Sequence, residues 1–146
     1  MPMSTFFLKL LIYGHLGLLI EIWFTGIYSF FFRRDKSATA KTYLPMLFVY
    51  GLTALVLERL SEVILWPFYL KAFIYVFVIY FAEGLSGWIL KKLIGKIPWD
   101  YGMSHWTPMG LINLKYAPFW LIVAMAFDPI TTFLTRILHT LTVVTQ

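Results

Sequence analysis

The feature that most constrains this chain is an apolar run from about Phe6 to Phe32, broken by only a few polar side chains. At about 1.5 Å per residue, a helix of that length exceeds the roughly 30 Å hydrocarbon core of a bilayer. The run is too long for the core of a signal peptide and has no small-residue cleavage site after it, so it is expected to remain as a membrane span. Three further runs follow, at about 43–66, 69–90 and 111–133. Only 13% of the residues are charged, against about 25% in a typical soluble domain, while 60% are hydrophobic. The expected fold class is therefore all-α: a polytopic integral membrane protein with about four transmembrane helices, forming one membrane domain over residues 1–146.

The connections carry the charge. Arg33, Arg34, Asp35, Lys36 and Lys41 fall between the first two runs, and Pro67 makes the second turnaround tight. Lys91, Lys92 and Lys96 close the third run. A mixed segment at 97–110, with Pro98, Trp99, Asp100, Tyr101, His105, Trp106 and Pro108, reads as interfacial or re-entrant, since its aromatics suit the headgroup layer. Lys115, Pro118 and the Asp128 and Pro129 pair interrupt the fourth run. Seven of the basic residues fall on the side of the two long loops, while Lys9, Lys71 and Arg136 fall on the other. By the positive-inside rule the long loops are cytoplasmic and both termini lie outside. The same rule accounts for the net charge of +5, so no nucleic-acid partner is expected. The absence of cysteine excludes disulfides, thiolate metal sites and cysteine nucleophiles.

The acids inside the runs suggest more than a set of spans. Glu21, Glu58 and Glu83 fall within the first, second and third runs. An ionised residue at a helix centre costs about 2.5 to 3.5 kcal/mol on insertion scales, so each needs a partner, water or a proton. Gly14, Gly17, Glu21, Thr25 and Tyr28 recur at intervals of three and four, as do Gly51, Ala54, Glu58, Ser61 and Glu62; Tyr80, Glu83, Gly84 and Gly87 do so over a shorter stretch. Small residues let helices approach closely, so the three stripes are expected to meet around a polar interior.

Arg59 is placed to pair with Glu62, three residues on, either as a structural ion pair or as a contact to substrate. His15 points about 120° away from Glu21 and reads as a proton relay or general base, or as a histidine bonded to a neighbouring helix. Asp100, between Trp99 and Tyr101, reads as a cap or turn residue, or as part of a loop closing the mouth of the polar interior. No Glu-x-x-His or His-Glu-x-x-His spacing occurs, so no metal is assigned, and nothing indicates a cofactor.

The residues Tyr50, Gly51, Thr53, Glu58 and Arg59, with Glu21, Phe24 and Thr25, and above all Pro98, Trp99, Asp100 and Tyr101 followed by Gly110, Leu111 and Ile112, resemble a known family. The chain is similar, over roughly residues 13–120, to the small membrane proteins grouped as ABC-transporter type IV (CmpB-like), which include the transmembrane protein 229 relatives. Gly102 stands where that family usually has Ser. The resemblance implies a permease-like membrane protein. No Walker motif occurs in the chain, so ATP-driven activity would need a separate subunit.

Two functional classes stay open, with a third beside them. One is transport or binding of an ion, a proton-coupled solute or a lipid headgroup by the carboxylates. Another is an intramembrane enzyme acting on lipid or lipid-linked substrates, with Arg59 or the basic loops holding a phosphate. The third is a structural subunit of a larger membrane complex. Four helices enclose only a narrow interior, so a homo-oligomer or larger complex in the lipid bilayer is an open arrangement.

Overall fold

The computed structural model describes residues 3–144. Four helices carry the chain: α1 (Met3–Phe32), α2 (Pro45–Val63), α3 (Phe68–Ile94) and α4 (Ala117–Val144), with short 3-10 turns at Pro108–Gly110 and Leu114–Tyr116. Long apolar runs become helices because a helix satisfies every interior backbone group within the segment, which lipid cannot do.

Local chemistry sets the ends. At the end of α1 the amides of Arg33 and Asp35 both return to the Ser29 carbonyl, and Arg34 takes a left-handed conformation with φ of 55°. Pro45 opens α2, where a missing amide hydrogen costs nothing. Gly95, with φ of 74°, ends α3 and donates its amide to the Lys91 carbonyl, while Lys91 and Lys92 complement the negative end of the helix dipole.

Among the described residues three helices are long and apolar enough to cross a membrane, against about four expected: Met3–Phe32, Phe68–Ile94 and Leu114–Leu138. The second run falls short because α2 is 19 residues long and places Glu58, Arg59 and Glu62 in its last turns. The fourth run also differs from its expected 111–133. A 3-10 turn at Leu114–Tyr116 occupies its start, with the Asn113 side chain accepting the Lys115 amide, and α4 continues through Pro129 as far as Val144.

By packing, the chain divides into two units. One holds the chain up to Val56 together with Leu85–Asp100; the other holds Leu57–Gly84 together with the chain from Tyr101 onward. In the first, α1 and α2 pack backbone to backbone. A Cβ on Gly14 would fall on the Leu47 carbonyl, one on Gly17 on the Tyr50 side chain, and one on Gly51 on the Leu10 carbonyl. In the second, Leu57, Ala72, Tyr75, Ile79 and Ala124 form a buried cluster from α2, α3 and α4. Outward residues such as Trp23, Phe77, Phe81 and Ile122 are mostly exposed, as lipid-facing side chains must be.

Candidate functional site

In the second unit the site is built on α3. Tyr80, Glu83 and Gly84 share one part of its surface, and the segment after Asp100 folds against it. The Tyr101 hydroxyl donates to Glu83 Oε1 at 2.8 Å, the Tyr80 hydroxyl donates to the Asn113 carbonyl at 3.0 Å, and Ile112 lies against Gly84. Glu83 is only 5% exposed. An ionised carboxyl at such a position would make this hydrogen bond stronger than a neutral one.

Tyr101 is itself fixed. Its amide donates to the Gly110 carbonyl at 3.1 Å, and its ring meets Tyr116 edge to face at 5.9 Å. Between these anchors, Thr107 Oγ1 donates to the Gly102 carbonyl at 2.7 Å and lies 2.8 Å from Ser104 Oγ, while the Leu114 amide donates to the Trp106 carbonyl. Gly102 and Gly110 have φ of 69° and 71°, a region open to glycine at little cost. The glycine at 102 therefore suits the turn that aims Tyr101.

The first unit holds its own carboxylate in a similar way. Thr42 Oγ1, from the connection after α1, donates to Glu21 Oε2, and the Tyr50 hydroxyl of α2 bonds the same carboxylate. One turn along, the Lys41 amide donates to Thr25 Oγ1 at 3.0 Å. The connection is braced further by Asp35, which accepts from the amides of Ser37 at 2.9 Å and Thr39 at 3.1 Å, and from Ser29 Oγ at 3.2 Å. These bonds, the one to the Thr39 side chain foremost, hold the Asp35 carboxyl down to about 2. Glu21 and Glu83 thus each sit about three turns before the end of a long helix, each bonded by a hydroxyl from the segment that follows.

The remaining sequence-derived residues have other surroundings. Glu58 is half-buried and takes a bond from Thr135 Oγ1 of α4 at 3.4 Å. Arg59 pairs with Glu62 at 2.9 Å, with side chains 64% and 56% exposed. His15 is exposed and its Nδ1 lies 2.7 Å from the Leu11 carbonyl, so its partner is its own helix and not a neighbour. Trp99 is buried in the first unit, and Asp100 is exposed. Among the described residues no three His, Cys, Asp or Glu side chains come together as a metal site. The structure thus brings Tyr101 to Glu83 and Arg59 to Glu62 but gives Glu21, Glu58 and Glu83 separate partners.

Sequence reasoning missed Thr42, and it missed Lys71, Tyr75 and Asp128, which meet in the second unit. Lys71 Nζ lies 2.8 Å from Asp128 Oδ2, and the Tyr75 hydroxyl donates to Asp128 Oδ1 at 2.8 Å. A signal was present, because Asp128 stands in an apolar run as much as the three glutamates do.

The model of the family described as Putative ABC-transporter type IV matches residues 8–145, nearly the whole chain. The chain belongs to this CmpB-like family. No solved structure matches it. Its apolar helices and its family together make this CmpB-like protein an integral membrane protein.

Proposed function

We propose that this CmpB-like protein is a small permease in which a proton or small cation at Glu83 governs the segment anchored by Tyr101. The observation that carries this reading is the 2.8 Å bond between Tyr101 and Glu83 at a position only 5% exposed on an apolar helix. An ionised Glu83 strengthens that bond, while a proton or a cation on the carboxylate competes with the phenol for it. Occupancy of the carboxylate is thereby linked to whether the segment stays closed on α3. Glu21, bonded by Thr42 in the connection after α1, is the natural counterpart in the first unit.

Several features of the setting belong to the same proposal. The helix α2 crosses the membrane as a fourth span, its Arg59 and Glu62 pairing near the boundary. The long basic connections lie in the cytoplasm, so both carboxylates are reached from that side. The chain works as a homo-oligomer or in a larger membrane complex, since a single bundle this small offers little room for a pathway.

Reconstitution into vesicles carrying an internal pH dye tests the reading. Proton or cation flux should appear with the unaltered protein, fall strongly in Glu83→Gln, and change its pH dependence in Tyr101→Phe. Equal flux in the protein and in Glu83→Gln would overturn it. A change in lipid mass on incubation with membranes, lost in Glu83→Gln, would replace it with an intramembrane enzyme.

A further inference from the structure

The connection after α1 is more ordered than a stretch of basic residues needs to be. It folds back along the helix it leaves. A Cβ on Gly26 would meet the Ala38 carbonyl at 3.2 Å and the Ala40 Cβ at 3.5 Å, and the Thr25 hydroxyl both donates to the Lys41 carbonyl and accepts from the Lys41 amide. The Ala38 amide closes the turn by donating to the Asp35 carbonyl at 2.9 Å. Arg33, Arg34, Lys36 and Lys41 are all exposed on this connection. Its one acid is otherwise engaged, because the Asp35 carboxylate accepts from Ser29, Ser37 and Thr39. Among the described residues none of the four cations forms an ion pair.

Arg34 adds an independent observation. Its φ of 55° is a left-handed conformation that a residue with a Cβ adopts at a cost and glycine adopts freely. Glycine would make the same turn with less strain, so what the arginine contributes is its side chain. Arg33 is steered as well: its guanidinium lies 5.9 Å from the centre of the Tyr28 ring, which also stacks on Phe32 at 4.9 Å. The place of the turn decides what it meets. With 30 residues α1 is about 45 Å long, against roughly 30 Å of hydrocarbon, so a spanning α1 brings its end at Phe32 to the headgroup layer. The anions of that layer are phosphates, which a guanidinium meets with paired hydrogen bonds. Basic clusters of this size beside a span suit acidic lipids. A choline headgroup fits poorly, because its ammonium would enter a field of four cations, and the Tyr28 ring that could attract it already faces Arg33 and Phe32.

We propose that the turn at Arg33, Arg34 and Lys36 is a binding site for the phosphate headgroup of an acidic phospholipid, whose acyl chains lie along the exposed Phe31 and Phe32. The lipid is neither cargo nor substrate here. It clamps the connection whose far end holds Glu21 through Thr42. Because the backbone of the turn is already fixed by Asp35 and Thr25, little ordering remains to oppose binding. The proposal uses none of the residues around Glu83 and stands or falls separately from the reading of that site.

The test uses the purified full-length protein in a neutral detergent. Native mass spectrometry counts bound lipid as phosphatidylglycerol or phosphatidylcholine is added, with melting curves in parallel. Phosphatidylglycerol should bind at least about tenfold more tightly and raise the melting temperature more. Arg34→Gly should melt no lower than the unaltered protein in phosphatidylcholine, yet lose about fivefold in affinity for phosphatidylglycerol, and adding Arg33→Gln should lose about as much again. Should Arg34→Gly not fold, Arg33→Gln with Lys36→Gln reads the same loss. Lys91→Gln with Lys92→Gln removes two charges from the end of α3 instead and should cost less than the pair at the turn. Equal affinity for the two lipids, or an equal loss from both pairs of substitutions, would overturn the site. Inorganic phosphate that displaced the lipid at equal concentration would overturn its assignment to a lipid.

Discussion

Tyr101 and Glu83 stand 18 residues apart in the chain, yet the phenol of one donates to the carboxylate of the other at 2.8 Å. That bond ties the segment between α3 and α4 to the surface of α3, together with the bond from Tyr80 to the Asn113 carbonyl. Hydrogen bonds to a charged group contribute roughly 1.5 to 3 kcal/mol, so Tyr101→Phe and Glu83→Gln should each destabilise the protein by an amount in that range. The two changes should be non-additive, the double variant costing less than the sum. Unfolding in mixed micelles, followed as a double-mutant cycle, measures this coupling.

Close helix approach makes a second prediction. Gly14, Gly17 and Gly51 have neighbours where a Cβ would sit, and at Gly14 and Gly51 the obstacle is backbone. Alanine at either should separate α1 from α2 and cost about 1 to 3 kcal/mol. Gly84 meets only Ile112 Cγ2, at an ordinary 3.5 Å, so Gly84→Ala should be tolerated. Melting temperatures of the three single variants provide the comparison.

The connection after α1 should respond to acid. Asp35 is held down to about 2 from 3.8 by its bonds to Thr39, Ser37 and Ser29. A depressed carboxyl contributes its ordering fully above the unfolded value and loses it as pH falls through the folded one. The connection should therefore stay ordered at pH 5 and above, then loosen progressively between about 4 and about 2. Amide exchange at Ser37 and Thr39 reads this, and Asp35→Ala should show fast exchange already at neutral pH.

Two ion pairs in the second unit should differ in consequence. Arg59 and Glu62 are well exposed, and Arg59→Ala should change stability by less than about 1 kcal/mol. Lys71→Met leaves Asp128 without its cation and should cost about 3 to 5 kcal/mol, whereas Lys71→Met combined with Asp128→Leu should recover much of the loss. Chemical unfolding of the four proteins, wild type included, checks both expectations.

What could be read from the sequence was what depends on short-range pattern. Apolar length placed α1 and α3 well, and helical spacing put Gly14 and Gly17 on the face that meets α2. Glu83 and Tyr101 were both singled out, though the bond between them is tertiary and no spacing announces it. Asp128 was read only as an interruption of the fourth run, because a Pro beside it reads as a helix break. In the structure α4 continues through Pro129, and the hydroxyls of Thr131 and Thr132 bond the Asp128 carbonyl just beyond it. Lys71 was counted only as a charge that orients the protein. Its partnership with Asp128, 57 residues away, is set by how α3 and α4 pack. The start of α4 was misjudged because hydrophobicity alone does not distinguish a helix from the 3-10 turn at Leu114–Tyr116.

Along one face of α3, Lys71 and Tyr75 are followed two turns later by Glu83, and the interval is filled by Ile79 packed with Leu57 and Ala124. This layer is roughly 12 Å deep and lies close to the midpoint of the helix. With polar groups above and below it and packed apolar side chains between, it offers no partner to a charge. A charge that crossed the whole membrane by way of this layer would gain or lose about 2.3 kcal/mol for each 100 mV, so its passage would be sensitive to the electrical state of the cell.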